Sequence, residues 1–162
     1  KATKILKDRG LDFRLKIVGR PVMTYDFEYF EKLKKLIHEL KLENFIEFIG
    51  FVPYGQISNY YKKADISINL APKGGIDKAV LEAMAAGCLI FVANEVFKKY
   101  FGDFSQSLTF RYGNPNDLSQ RIENLLKLSE DKLNNISNFL QESVKRSHDV
   151  FNVVDNISEL FG

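Results

Sequence analysis

The residues best suited to chemistry lie between Lys73 and Gly87, where the sequence runs Lys-Gly-Gly-Ile-Asp-Lys-Ala-Val-Leu-Glu-Ala-Met-Ala-Ala-Gly. The apolar run 65–71 before them is typical of a buried strand, and Pro72 and the glycines then interrupt it. Asp77 can cap a new helix through its side-chain oxygen. A glycine loop that opens a helix leaves backbone N–H groups uncovered beside the positive end of the helix dipole, so this segment predicts a phosphate-binding site.

Glu82 is the second candidate in this segment. It lies about one and a half turns into the predicted helix, off the apolar stripe, where its carboxylate can accept hydrogen bonds from ribose hydroxyls. The alternative is a surface glutamate that pairs with Lys78 four residues earlier, with the glycines only making a turn. Spacing alone leaves both interpretations open, because glycine-rich loops before helices are common. The predicted apolar stripe comprises Val80, Leu81, Met84 and Ala85.

The elements that must position these residues alternate between strands and helices, which predicts a doubly wound α/β domain with a mostly parallel sheet of about five or six strands. Strands are predicted at 13–18, 45–49, 65–71, 88–93 and 108–110. Helices are predicted at 1–9, 25–41, 56–63 and 97–101, and further ones are capped by Asn116, Ser129 and Asp149.

The segment 81–87 resembles the signature of the C-terminal, donor-binding domain of GT-B glycosyltransferases, in particular glycosyltransferase family 4. That signature runs Glu, seven residues, Glu, then Ala-Met-Ala, a variable residue and Gly. Several further segments resemble the family in the right order, which is far more specific than one match alone. They are Phe13-Arg-Leu-Lys-Ile-Val-Gly-Arg20, Phe45-Ile-Glu-Phe-Ile-Gly-Phe-Val-Pro53 and Ile57-Ser-Asn-Tyr-Tyr-Lys-Lys-Ala-Asp65.

The resemblance implies a Rossmann-like fold for residues 1–162, which would form the nucleotide-sugar (donor) binding domain of a larger two-domain protein. Because residues 1–9 already have a helical pattern, with no initiator Met and no strand before them, we expect a fragment. The acceptor-binding N-terminal domain and the basic residues that precede this domain in the family would then be missing.

The resemblance also implies which residues hold the donor. Backbone N–H groups from Gly75 to Leu81 would contact the diphosphate and the sugar, and Glu82 would bind the ribose. The backbone at Gly19 would approach the sugar or phosphate, and Arg20 would add positive charge unless it is simply solvated. Phe51 and Val52 would lie against the base unless they only pack their loop. The predicted donor site comprises Gly19, Arg20, Phe51, Val52, Gly74, Gly75, Ile76, Asp77, Lys78, Val80, Leu81 and Glu82.

The sequence departs from the signature at one position. The first glutamate of the signature should lie eight positions before Glu82, where this chain has Gly74. A Gly-x-x-Asp-Lys variant occurs within the family and includes Asp77. Asp77 is therefore the catalytic candidate, with helix capping as the alternative role.

The function implied by the resemblance is transfer of a hexose from a nucleotide-diphosphate sugar, such as a UDP- or GDP-sugar, to a glycan or lipid-linked acceptor. Retention of configuration, independence of metal and of any further cofactor, and a role in polysaccharide or glycoconjugate biosynthesis are expected, and the isolated chain should be inactive. The alternatives are a GT-B epimerase and a non-catalytic glycosyltransferase-like protein, which Gly74 keeps open.

Composition limits the other function classes. The net charge is +2, from 23 basic and 21 acidic residues, which gives no argument for a nucleic-acid partner. The single cysteine, Cys88, excludes a disulfide framework and a cysteine metal cluster. We recognise no signal-peptide pattern and no transmembrane run in these residues, and so expect neither. We expect a cytoplasmic location, with peripheral membrane association of the full-length protein as a further expectation.

Overall fold

The computed structural model describes residues 1–148, so the predicted last helix after Asp149 lies outside the described residues. The strands within this range are β1 (Leu15–Val18), β2 (Ile46–Gly50), β3 (Ile66–Asn69) and β4 (Leu89–Val92). The helices within it are α1 (Ala2–Asp8), α2 (Thr24–Glu39), α3 (Tyr54–Lys63), α4 (Lys78–Ala85), α5 (Lys98–Phe101), α6 (Ser105–Leu108), α7 (Pro115–Leu126) and α8 (Glu130–His148).

The strands form two parallel pairs, β1 with β2 and β3 with β4. The strand predicted at 108–110 is reduced to one parallel bridge, between Val92 and Thr109, because α6 continues as far as Leu108. The N–H of Phe110 still donates to the carbonyl of Val92 at 2.9 Å. Among residues 1–148 the parallel arrangement is therefore as predicted, but with fewer full strands.

The chain divides into two compact units, Lys1–Ile57 and a second that begins at Ser58. In the first unit, Phe13 packs against Phe45 with ring centroids 5.1 Å apart. Phe30 of α2 meets Phe48 of β2 edge to face at 4.7 Å. These aromatic pairs fix helix and loop against the β1–β2 pair.

The core of the second unit is built around β4, whose four residues are all buried. A parallel strand covered on both faces is expected to be apolar throughout, as this one is. Against it lie Val80, Ala83 and Met84 of α4, all fully buried. The predicted stripe was wrong at one position, because Ala85 is exposed and Ala83 takes its place at helical spacing.

The cap of helix α7 lies two residues earlier than predicted. The side chain of Asn114, not Asn116, accepts a hydrogen bond from the N–H of Asp117 at 3.1 Å, and Pro115 occupies the first helical position. Leu118, Ile122 and Leu125 of this helix are buried, whereas Leu126 is 47% exposed. None of the helices within residues 1–148 is long and apolar enough to cross a bilayer.

Helix α8 holds the C-terminal end of α4. The hydroxyl of Ser137 donates to the carbonyl of Gly87 at 2.7 Å, and the amide of Gln141 donates to that of Ala85 at 3.3 Å. Gly87 has φ of +79°, the left-handed conformation that ends a helix and favours glycine. Of the last carbonyls of α4, those of Ala83 and Met84 accept the backbone N–H groups of Cys88 and Gly87, and that of Ala85 is satisfied by α8.

We predict that Gly102→Ala destabilises the fold by about 2 kcal/mol or more, because two costs combine. Gly102 has φ of +50°, and a Cβ there would lie 2.8 Å from Cζ of Phe139, whose ring packs on Phe104. Urea unfolding followed by circular dichroism measures the change. The matched control is Gly55→Ala in α3, where a Cβ meets nothing within 4 Å and the unfolding midpoint should be unchanged or slightly higher. Equal midpoints for Gly102→Ala and the wild type would contradict the packing described here.

Candidate functional site

The glycine loop, residues 70–77, joins β3 to α4 and is exposed from Leu70 to Ile76. Gly74 has φ of +121°. Among residues 1–148, no group accepts a hydrogen bond from the backbone N–H groups of residues 74–78. The loop therefore offers a run of free donors at the start of a helix, as the sequence predicts.

Asp77 caps α4, as predicted. Its Oδ1 accepts a hydrogen bond from the N–H of Ala79 at 3.0 Å. Its Oδ2 accepts a second from Nδ2 of Asn69 at 2.7 Å. Both carboxylate oxygens are thus engaged within the protein, and the catalytic role of Asp77 stays a prediction.

Two asparagines at the ends of neighbouring strands hold the glycine loop, and sequence reasoning missed both. Asn69 ends β3, and its Oδ1 accepts from the N–H of Ala71 at 3.1 Å. Asn94 follows β4, and its Nδ2 donates to the carbonyl of Gly74 at 3.2 Å. A signal was present for Asn94, which directly follows the predicted strand 88–93, but Asn69 lay inside the predicted strand 65–71, so its position at a strand end became visible only in the structure.

The first turn of α4 decides which predicted N–H donors are free. Those of Val80 and Leu81 both donate to the carbonyl of Asp77, at 3.1 and 3.4 Å, and the Val80 side chain is fully buried. The predicted donors were the N–H groups from Gly75 to Leu81. Within the described part of the chain, those from Gly75 to Lys78 are available to a ligand.

Glu82 lies on α4 near the half-buried ring of Tyr61 in α3. Burial raises the pKa of the Tyr61 hydroxyl, and the negative charges of Glu82 and Asp77 raise it further. Within the described part of the chain no ion pair joins Glu82 to Lys78, so the simple surface pairing is absent. The ribose role of Glu82 stays a prediction.

The remaining predicted residues lie in the first unit, where β1 and β2 end together. The N–H of Gly19 donates to the carbonyl of Gly50 at 2.9 Å. This bridge places the Arg20 guanidinium over the Phe51 ring, 5.0 Å from its centroid, while the ring stays 64% exposed. Arg20 thus contacts an aromatic ring while it stays exposed to solvent, and Val52 is half-buried. The carboxyl ends of parallel strands are where ligands bind in α/β folds.

Glycine at position 74, where the signature has glutamate, is favoured by the backbone conformation of the loop. A Cβ at this position would meet nothing within 4 Å, so space does not exclude a side chain. The φ of +121° does, because residues other than glycine rarely adopt it. A glutamate could not simply replace Gly74 while the loop keeps this conformation.

Comparison with known proteins then gives the family. A family model described as "Glycosyl transferases group 1" matches residues 1–142. The chain belongs to this family. The predicted resemblance to GT-B glycosyltransferases is confirmed, and so is the α/β fold with parallel strands of their Rossmann-like C-terminal domain.

Individual relatives are distant in sequence. A human GDP-Man:Man(3)GlcNAc(2)-PP-Dol alpha-1,2-mannosyltransferase is 25% identical over 124 residues, which cover 73% of this chain and 25% of the relative. HepE from Anabaena, solved in complex with UDP, has a TM-score of 0.82 and 17% identity over 99% of this chain and 44% of its own. The C-terminal domain of LpcC from Francisella tularensis has a TM-score of 0.77 and 20% identity over 92% of this chain and 76% of its own. The chain thus spans a quarter of the mannosyltransferase and less than half of HepE.

We predict that Asp77→Ala lowers the free energy of unfolding by about 1–2 kcal/mol, since it removes a helix cap and leaves the Asn69 amide unpaired. Asp77→Asn keeps an oxygen for the N–H of Ala79 and should lose less. Urea unfolding of the two variants and the wild type measures this order. Equal stability of Asp77→Ala and the wild type would show that the cap contributes nothing.

Proposed function

We propose that this chain is the donor-binding part of a glycosyltransferase that transfers a hexose from a nucleotide-diphosphate sugar to a glycan or lipid-linked acceptor. Family membership supports the transferase class. The main structural support is the glycine loop. Within the described residues its N–H groups have no acceptor, and they lie at the start of α4, the helix that Asp77 caps and that contains Glu82. Nucleotide recognition by the neighbours supports it further, because HepE was solved with UDP.

The chemistry follows from where negative charge develops. When the sugar leaves the diphosphate, charge accumulates on the departing phosphate oxygens. Backbone N–H groups of residues 74–78 and the positive end of the α4 dipole stabilise that charge without having to reorganise. Lys73 and Lys78, both exposed at this loop, add positive charge. We infer that this arrangement serves in place of a metal ion and that no further cofactor is needed.

Glu82 would accept hydrogen bonds from the ribose, and Phe51, with the Arg20 guanidinium over its ring, would lie against the base. Retention of configuration, an acceptor held by a separate N-terminal domain, a pathway of polysaccharide or glycoconjugate assembly, and a cytoplasmic location with peripheral membrane association complete the proposal. Each follows from the family resemblance.

A non-catalytic nucleotide-binding role is the second candidate, and one observation favours it. Position 74 carries no carboxylate, and both oxygens of the neighbouring Asp77 are already engaged, at 3.0 and 2.7 Å. This candidate predicts nucleotide binding with no transfer by the whole protein. The first candidate predicts both.

A thermal-shift screen against UDP, GDP, ADP and CDP tests the shared part of both candidates. A nucleotide that binds should stabilise the protein by about 2.7 kcal/mol at one hundred times its dissociation constant. We expect one base to be preferred and the shift to persist with EDTA, since no metal takes part. A shift that disappears with EDTA would contradict metal independence, and no shift with any nucleotide would contradict the donor site.

We predict that Glu82→Ala weakens binding of the preferred nucleotide by about tenfold to a hundredfold, the range for a lost hydrogen bond to a charged group. Isothermal titration calorimetry measures the dissociation constants. The control is Glu28→Ala, which removes an exposed glutamate from α2 and should leave affinity unchanged. Wild-type affinity in Glu82→Ala would rule out the ribose contact.

A further inference from the structure

The glycine loop is not held in place by packing. Residues 70–76 are all exposed, and a Cβ built on Gly74 or Gly75 would meet nothing within 4 Å. Its larger apolar side chains, Leu70 and Ile76, are 60% and 38% exposed. A loop without buried apolar contacts opens at little cost unless polar contacts hold it.

Polar contacts are present at two points, and both begin at the rigid ends of paired strands. Asn69 lies opposite Val92 in the parallel register, and the N–H of Ala93 donates to its carbonyl at 3.1 Å. From this base, Nδ2 of Asn69 reaches Asp77 at 2.7 Å. Nδ2 of Asn94, a residue only 7% exposed, reaches the carbonyl of Gly74 at 3.2 Å.

Each asparagine uses both ends of its amide, so its orientation is fixed. Oδ1 of Asn69 accepts from the N–H of Ala71 at 3.1 Å, and Oδ1 of Asn94 accepts from that of Val96 at 3.1 Å. An amide that accepts with its oxygen and donates with its nitrogen cannot be replaced by a carboxylate, which only accepts.

We propose that Asn69 and Asn94 are positioning residues of the donor site, which hold the glycine loop so that its free N–H groups stay arranged for the diphosphate. The inference rests on the proposed function for the identity of its ligand. It does not rest on it for the two hydrogen bonds, Asn69 to Asp77 and Asn94 to Gly74, which we call the first and second tether. Neither asparagine need touch the nucleotide. Their effect is to reduce the ordering that binding would otherwise require.

An exchange of the two partners tests the first tether. Asn69→Asp places two carboxylates against each other, and Asp77→Asn places two amide nitrogens against each other, so each single variant breaks the contact. The double variant restores one donor and one acceptor, keeps a capping oxygen at position 77, and has the net charge of the wild type. Rescue in the double variant is therefore specific to the hydrogen bond.

The first measurement needs no ligand. Trypsin cleaves after Lys73, an exposed residue within the glycine loop. When the loop opens and closes faster than trypsin cleaves it, the cleavage rate is proportional to the fraction of molecules in which the loop is open. We expect each single variant to be cleaved there about tenfold faster than the wild type and the double variant within about twofold of it. Asn135→Asp, at an exposed position of α8, is the matched charge control and should behave as the wild type.

The second measurement is calorimetry with the nucleotide preferred in the thermal screen. We expect the single variants to bind about tenfold more weakly and the double variant within about threefold of the wild type. The positioning role would be overturned if the single variants were cleaved faster, the double variant regained protection from trypsin, and all of them bound the nucleotide with the affinity of the wild type. The contact itself would be overturned if the single variants were cleaved at the rate of the wild type. A wild type that binds no nucleotide would contradict the proposed function, while the trypsin result would still decide the tether.

Asn94→Asp tests the second contact, since it keeps the shape and the acceptor for Val96 but loses the donor to Gly74. The same increase in cleavage after Lys73, about tenfold, is expected. Circular dichroism confirms that the variant is folded. Cleavage and affinity both equal to those of the wild type would remove Asn94 from the proposal.

Discussion

The arrangement of the site depends on one carboxylate with two partners. Asp77 accepts the N–H of Ala79 with one oxygen and the Asn69 amide with the other, so a single side chain begins helix α4 and attaches it to the end of β3. A helix cap is local, whereas the bond to Asn69 is tertiary. Because both act on the same group, the direction of α4 and the shape of the preceding loop are fixed together.

The same carboxylate shows what sequence can and cannot predict. The Asp77 cap, the glycine break and the buried strand after Gly87 follow from local preferences, and the structure confirms them. The partners of Asp77 and Gly74 do not, because Asn69 and Asn94 come together only when β3 and β4 pair. The error at the start of α7 has a different, local origin. Asn114 rather than Asn116 begins α7, since Pro115 already has the dihedral angle of a first helical residue.

The resemblance to the glycosyltransferase signature gave the fold and family, and the departure at Gly74 is informative in a different way. With φ of +121°, the loop uses glycine for its backbone geometry at a position where the signature has a carboxylate. This chain has no carboxylate at position 74, and the backbone there adopts a conformation that few residues other than glycine take. Whether the chain catalyses transfer therefore depends on groups other than a side chain at position 74.

The contacts between α8 and the end of α4 have a consequence for how the protein is made. Ser137 follows its partner Gly87 by 50 residues, and Gln141 follows Ala85 by 56. When α4 has just left the ribosome, the side chains that donate to the carbonyls of Ala85 and Gly87 have not yet been synthesised. These two contacts are therefore added late in translation, and until then water is the hydrogen-bond partner of the Ala85 and Gly87 carbonyls.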